Sequence, residues 1–322
     1  MLVLSGRDVR QLLSYAECAD VMRAALAGLA RGEIQQPLRT VVRPSGAAGF
    51  MGLMPSYSAQ AGYGLKAICI TPGNPSLGLD SHQGGVMLFS PGTGEPLALV
   101  NASALTEIRT AAVSAVATGL LARPDATEVA IIGTGVQAIA HARALAATRS
   151  LSGIRMVGRD LARAQETTKG LAGELRIALT IVASAQQALD GADIVVTATT
   201  SREPVLRRDW LSPGTHVNAV GACVPGDREI DTATMADAAI FADSRESLAN
   251  ESGDYLLAQR DGAALEARAE LGELLTGAVA GRRDDAEITL FESLGLAAED
   301  LMAASYVYEK AKGQGSGIAA DF

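Results

Sequence analysis

The segment 127–148 constrains this chain more than any other. An apolar run, TEVAII, meets Gly133-Thr134-Gly135-Val136-Gln137-Ala138 and passes at once into VQAIAHARALAAT, whose small and apolar residues have helical spacing. A strand that turns on glycine and re-enters as a helix leaves unpaired backbone N–H groups and a partial positive charge at the helix start, where phosphate binds. Gly133 permits the tight turn, Gly135 lets the backbone approach a pyrophosphate, and Ala138 lets helix and strand pack closely. A lone G-x-G-x-x-A is weak evidence, but between a strand and a helix it is specific. The segment therefore implies a Rossmann domain opening near residue 127 and NAD(P)-dependent oxidoreductase chemistry.

The rhythm around that segment supports this reading. After Pro124 come the strands TEVAIIG, IRMVG, ALTIV, DIVVTAT, THVNAVG and AAIFA, the earlier ones separated by helix patterns at VQAIAHARALAAT, LARAQETTKGLAGE and SAQQAL. Such alternation predicts a doubly wound parallel sheet. EITLFES reads as one more strand and LAAEDLMAASYVYEKAKG as a closing helix. The first third differs. Residues 8–31 carry Val9, Leu12, Leu13, Val21, Met22, Ala25, Leu26 and Leu29 at helical spacing, one or two amphipathic helices. From Leu38 to about Val100, the short runs TVVR, GFMGLM, LKAICI, GGVMLF and PLALV alternate with Gly, Pro and Asn clusters, an antiparallel meander with a hairpin turn at SPGTGEP. Residues 103–122 form a strong helix, stopped by Arg123-Pro124. The expected fold is α/β. A substrate-binding and dimerisation domain of α+β type spans 1–122 and is completed by the last helix, about 300–322. A Rossmann domain spans 123–299.

Bulk properties exclude some classes. With 322 residues, 48% hydrophobic and 20% charged, the chain can build a sizeable core. A net charge of −9 disfavours DNA or an anionic membrane as the main partner. No window has the roughly 18 uninterrupted apolar residues of a membrane span. The opening MLVLSGRDVRQLLS lacks a basic n-region and is not expected to be a signal peptide. Cys18, Cys69 and Cys223 are odd in number and scattered, so reduced thiols in a cytoplasmic protein are expected, without a disulfide framework or metal site.

The strand after the glycine turn ends at Met156-Val157-Gly158-Arg159-Asp160. NAD enzymes usually place an acid there, about 20 residues past the glycines, for the ribose 2′-hydroxyl. Arg159 suits a 2′-phosphate instead. This favours NADP(H), while Asp160, one residue later, leaves NAD(H) open. Thr197-Ala198-Thr199-Thr200-Ser201 ends a further strand at the carboxyl edge of the sheet, a place that lines a cofactor crevice.

Several stretches resemble the ornithine cyclodeaminase/mu-crystallin family: Ser81-His82-Gln83-Gly84; Leu105-Thr106 with Arg109-Thr110-Ala111-Ala112; Gly133 to Ala138; Asn218-Ala219-Val220-Gly221-Ala222; and Glu287-Ile288-Thr289-Leu290-Phe291 with the closing helix. The resemblance runs nearly end to end. It is specific for the family and poorly specific for the substrate. Its members include ornithine cyclodeaminase, alanine dehydrogenase, cyclic ketimine reductases and hormone-binding mu-crystallins. It implies a homodimer whose non-Rossmann domain dimerises and holds an amino- or imino-acid substrate against the nicotinamide. Thr110 and Val220 join Gly133, Thr134, Gly135, Val136, Gln137, Arg159, Thr197, Ala198 and Thr199 as expected cofactor residues.

Such a substrate needs a cationic clamp for its carboxylate and a proton donor near nitrogen. Arg39, Lys66 and Arg109 each sit among apolar neighbours, where a bare charge is costly unless paired or serving a ligand. By resemblance, they match the basic residues that hold the carboxylate and act at the reacting nitrogen. A desolvated Lys66 would have a lowered pKa, suited to proton exchange at neutral pH. His82 is a candidate for the same pocket or a structural histidine; His141 and His216 read as structural.

One departure bears on the reaction. Ornithine cyclodeaminases resemble one another in an aspartate two residues before a Pro-Gly pair. Here Cys223 stands at that place, in Gly221-Ala222-Cys223-Val224-Pro225-Gly226-Asp227, and the nearest carboxylate is Asp227. A neutral thiol handles a distal ammonium poorly. The expectation is an NAD(P)H-dependent reductase of a small cyclic 2-imino acid. Alternatives are ornithine cyclodeaminase, with Asp227 as its acid, an alanine-dehydrogenase-like enzyme, or a non-catalytic small-molecule binder.

Overall fold

The computed structural model describes residues 1–322, the side chain of Pro75 excepted. The chain divides into two compact units, Met1–Arg109 with Leu296–Phe322, and Thr110–Gly295. The boundary expected after residue 122 falls earlier, inside the helix at 102–121, because the latter part of that helix packs with the second unit. One such contact is the Asn218 amide, which donates to Thr118 Oγ1 at 3.0 Å.

In the first unit, the amphipathic stretch near the start is two helices, α1 (Gly6–Leu12) and α2 (Tyr15–Ala30). Ser14 causes the break. Its hydroxyl accepts from the Glu17 amide while the Glu17 carboxylate accepts from the Ser14 amide, a reciprocal cap that starts a new helix. The sheet follows: β1 (Leu2–Leu4), β2 (Ile34–Gln35), β3 (Thr40–Val42), β4 (Phe50–Ser58), β5 (Gly62–Ile70), β6 (His82–Phe89) and β7 (Pro96–Asn101). Strands β4 to β7 form the expected antiparallel meander. Strand β1 extends it in parallel beside β7, and Ile318–Ala319 closes that edge.

The pleat of β5 sorts its residues between two faces. Gly62, Gly64, Lys66 and Ile68 are buried, while Tyr63, Leu65, Ala67 and Cys69 are half-buried or exposed. The buried face is covered by the closing helix Ala297–Gln314, which packs on β4, β5 and β6. Gly64 makes this approach possible, since a Cβ there would lie 2.9 Å from Leu301 Cδ1. At the helix start, Ser56 Oγ donates to the Ala297 carbonyl and the Ala298 amide donates to Gln36 Oε1.

Helix α3 (Ala102–Leu121) is, among the described residues, the one helix long and apolar enough to cross a membrane, and 78% of that window is buried in protein. The second unit then builds β8 (Glu128–Ile132), α4 (Val136–Thr148), β9 (Gly153–Val157), β10 (Ala178–Ile181), β11 (Ile194–Thr197), β12 (His216–Ala219), β13 (Ala239–Ala242), β14 (Ala267–Glu270) and β15 (Thr289–Glu292). These strands form one all-parallel sheet in the order β10-β9-β8-β11-β12-β15-β13-β14. The order reverses at β8, so the glycine turn sits at the topological switch point, where open α/β sheets bind ligands. Two local differences from expectation stand out. The helix expected over 161–174 breaks into Leu161–Thr167 and Leu171–Leu175, because Gly170 takes φ +84°. Edge strand β14, ARAE, is too short and too charged to read as a strand from its pattern.

Replacing Gly64 with Val should push the closing helix off the sheet and cost about 1–3 kcal/mol. Thermal unfolding checks this; an unchanged Tm would mean that the helix does not depend on the close approach.

Candidate active site

The dinucleotide turn has the geometry its glycines require. Gly133 adopts φ +130°, and a Cβ there would lie 2.4 Å from the Ala198 carbonyl oxygen, so only glycine fits. Its amide donates to the Val157 carbonyl at 2.8 Å, tying the turn to β9. Gly135 is the N-cap of α4 and no side chain caps the helix. A Cβ at Gly135 would meet nothing within 4 Å. Thirteen residues of aligned peptide dipoles thus end in an open cradle bordered by Thr134, Val136 and Gln137. Val136 is exposed, an apolar side chain at the mouth of the turn, and Ala138 is fully buried against the sheet. The donor set fits the pyrophosphate of a nicotinamide dinucleotide.

Two further loops end on the same sheet edge. Thr197 closes β11, with Ala198 and Thr199 following it, and Val220 follows β12. A buried carboxylate that the sequence reading missed staples these loops together. Glu229 Oε1 accepts from the Thr199 amide at 2.6 Å and its Oε2 from the Gly221 amide at 2.7 Å. Asp254 Oδ1 in turn accepts from the Glu229 and Ile230 amides at 2.7 and 2.9 Å. Burial pushes both carboxyl groups up, Asp254 to about 7. Thr110 is buried on α3. Arg159 is exposed at the end of β9, and Asp160 is engaged as a helix cap, its Oδ1 accepting from the Arg163 amide at 3.0 Å.

The basic constellation belongs to the first unit. Lys66 is 3% exposed on the inner face of β5, and its Nζ donates to Asp300 Oδ1 and Oδ2 at 3.1 and 3.0 Å. Arg109, 4% exposed on α3, donates from Nε to Asp300 Oδ1 and from Nη1 to Glu299 Oε2, each at 3.0 Å. Glu299 also accepts from the Leu296 amide at the start of the closing helix. Two buried cations therefore face two buried anions, a balance without which such desolvation would be prohibitive. Burial lowers the Lys66 pKa to about 8, with Arg109 and Arg39 adding to the fall and Asp300 opposing it.

Arg39 stands just before β3, half-buried, close enough for its charge to be felt at Lys66. His82 opens β6. Its Nδ1 lies 3.0 Å from Ser81 Oγ, and its carbonyl accepts from the Ser103 hydroxyl. Burial, followed by the charges of Lys66 and Arg109, lowers its pKa to about 4, so it is neutral at neutral pH. The structure thus gathers Lys66, Arg109, Arg39 and His82. Asp227 lies in the second unit, where Arg202 Nε is 3.8 Å from its Oδ1. Cys223 is half-buried against that unit's core. His141 is structural, with both ring nitrogens engaged by the Gln137 carbonyl and Ser114 Oγ, and His216 pairs with Thr289 Oγ1.

The model of the ornithine cyclodeaminase/mu-crystallin family matches residues 1–315. The chain belongs to that family. Mouse ketimine reductase mu-crystallin is 39% identical over 311 residues, 95% of this chain and 96% of its own. The structure of Thermococcus litoralis Δ1-pyrroline-2-carboxylate reductase in complex with NADH and L-proline superposes with TM-score 0.96 at 36% identity, covering 99% of this chain and 100% of the other. An archaeal alanine dehydrogenase dimer with bound NAD superposes with TM-score 0.94 at 30% identity, covering 100% and 99%. The motifs by which the chain resembles this family recur in the geometry. Arg109 belongs to the buried ion cluster, His82 feels the charges of its two cations, and Gly133 to Ala138 make the glycine turn.

Within this family member, Gly135→Val should leave the unliganded fold intact, because a Cβ there has nothing within 4 Å and the backbone φ is negative, and should fill the pyrophosphate approach. NAD(P)H titration by nucleotide fluorescence should show at least about tenfold weaker binding, ~1.4 kcal/mol, at an unchanged Tm. Undiminished binding would show that the cradle is not the phosphate site.

Proposed function

We propose that the protein is an NAD(P)H-dependent reductase of a small cyclic 2-imino acid, of the Δ1-pyrroline-2-carboxylate or Δ1-piperideine-2-carboxylate type, yielding an L-amino acid. The observation that carries this reading is the buried Lys66, held in an ion cluster with Arg109, Asp300 and Glu299 and sensing Arg39. The chain has only four lysines among 27 basic residues, and among the described residues Lys66 is the buried one. Arginine cannot give up a proton near neutral pH and lysine can.

The roles follow from charge and reach. Arg39 and Arg109 hold the substrate carboxylate, a planar anion that suits guanidinium groups. Lys66 delivers the proton to the ring nitrogen, and its pKa of about 8 makes that transfer feasible at neutral pH. Neutral His82 borders the ring as a hydrogen-bonding group that adds no charge. The nicotinamide, when bound, supplies the hydride for the C=N carbon. The second unit binds the dinucleotide through Gly133, Thr134, Gly135, Val136 and Gln137, with Thr110, Thr197, Ala198, Thr199 and Val220 along its length.

Arg159 at the end of β9, with Asp160 engaged as a cap, favours NADP(H) over NAD(H). The engagement of Asp227 by Arg202, with Cys223 in the aspartate's place, favours reduction over cyclodeamination. The outer sheet face of the first unit exposes Met51 and Tyr63, with Leu53, Leu65 and Met87 half-buried beside them. An apolar face of this kind suits a second copy of the chain, and we read the protein as a homodimer. Among the described residues Cys18, Cys69 and Cys223 form no disulfide, in keeping with a cytoplasmic setting.

The test follows nicotinamide absorbance with each cyclic imine and either cofactor, alongside ornithine plus NAD assayed for ammonia. Rapid NADPH consumption, slower NADH consumption and no ammonia are expected. In the reductive direction, kcat/KM should fall as pH rises through about 8, as Lys66 loses the proton it must give. Release of ammonia from ornithine, or a rate independent of pH between 7 and 9, would contradict the assignment.

A further inference from the structure

We propose that Asp300 is the positioning residue of this site: its carboxylate keeps Lys66 charged and fixes Nζ and the Arg109 guanidinium in one frame. The proposal rests on the reductase reading and deepens it. Asp300 is 1% exposed and bonds to both buried cations: both its oxygens accept from Lys66, and Oδ1 also accepts from Arg109 Nε.

The charges facing Lys66 come from several elements. Arg109 on α3 and Arg39 before β3 destabilise its ammonium; Asp300 on the closing helix stabilises it; His82 at the start of β6 is neutral at neutral pH. Glu299, on the same turn as Asp300, bonds to Arg109 Nη1 and to the Leu296 amide. Without Asp300, a desolvated lysine beside two guanidinium groups would lose its proton at lower pH and serve less well as a donor at neutral pH. The position of Asp300 is itself set by packing, because it precedes Leu301, the residue that closes over Gly64.

The direct test labels the four lysines with 13C at Cε, assigns Lys66 with Lys66→Arg, and follows its shift with pH. In Asp300→Asn the Lys66 midpoint should fall by at least one pH unit, and the alkaline limb of kcat/KM should move with it. In Glu299→Gln the midpoint should move less than half as far. Asp300→Glu keeps the charge but displaces Nζ. Its midpoint should stay within half a unit of the parent while kcat falls at least tenfold at unchanged KM. That variant carries the test if Asp300→Asn does not fold. An unshifted Lys66 midpoint in Asp300→Asn, an equal shift in Glu299→Gln, or parental kcat in Asp300→Glu would each overturn the proposal. The titration needs no substrate. It therefore reads the Asp300–Lys66 coupling even if the protein reduces no cyclic imine, which separates failure of this proposal from failure of the reductase reading.

Discussion

The buried four-charge cluster of Lys66, Arg109, Asp300 and Glu299 is the constraint around which the first unit is organised. Each charge taken alone would be too costly to bury, and together they leave no isolated ion. Three distant stretches of chain must meet to build it: the inner face of β5, the first half of α3, and the first turn of the closing helix. That requirement explains why the C-terminal segment returns to the N-terminal unit, why Gly64 stands opposite Leu301, and why Ser56 and Gln36 clamp the backbone at the helix start. The cluster is a structural knot, and in the proposed reaction it is also where the transferred proton is held.

The second unit solves a similar problem with anions alone. Glu229 and Asp254 are fully buried, and backbone amides compensate them. Each carboxylate substitutes for a missing strand partner where the chain leaves the sheet, at Thr199, Gly221 and Ile230. The loops that border the dinucleotide turn are thereby fixed by hydrogen bonds instead of regular pairing. A Cβ at Gly221 would lie 2.2 Å from the Thr199 carbonyl oxygen, which shows how tightly the two loops are drawn together. Preorganised loops bind a flexible dinucleotide at a lower entropic cost.

Much of this was legible in the sequence because the signals are local. The strand–glycine–helix at Gly133 depends on adjacent residues, and α4 spans the stretch its periodicity predicts. The meander strands and the hairpin at 90–96 are local as well. Lys66 and Arg109 stood out as charges among apolar neighbours. Their partners did not: Glu299 and Asp300 look like ordinary first-turn acids of an amphipathic helix, and only the tertiary return of that helix buries them. Glu229 and Asp254 were hidden for the same reason, in polar loops with no periodicity. The break at Gly170 was missed because one glycine among good helix formers does not reveal the sign of its φ. The unit boundary within α3 was invisible because a continuous helix carries no mark where its packing partner changes. The family model and the relatives bear out the resemblance read from Ser81-His82, Arg109 and the glycine turn.

The most direct measurement is a crystal structure of this protein with NADPH and L-proline, the product of the smaller candidate ring. The proline carboxylate is expected on Arg39 and Arg109 and the ring nitrogen about 3 Å from Lys66 Nζ, with Asp300 still bridging Lys66 and Arg109. A proline whose carboxylate sits on Lys66, or whose nitrogen lies beyond its reach, would contradict it.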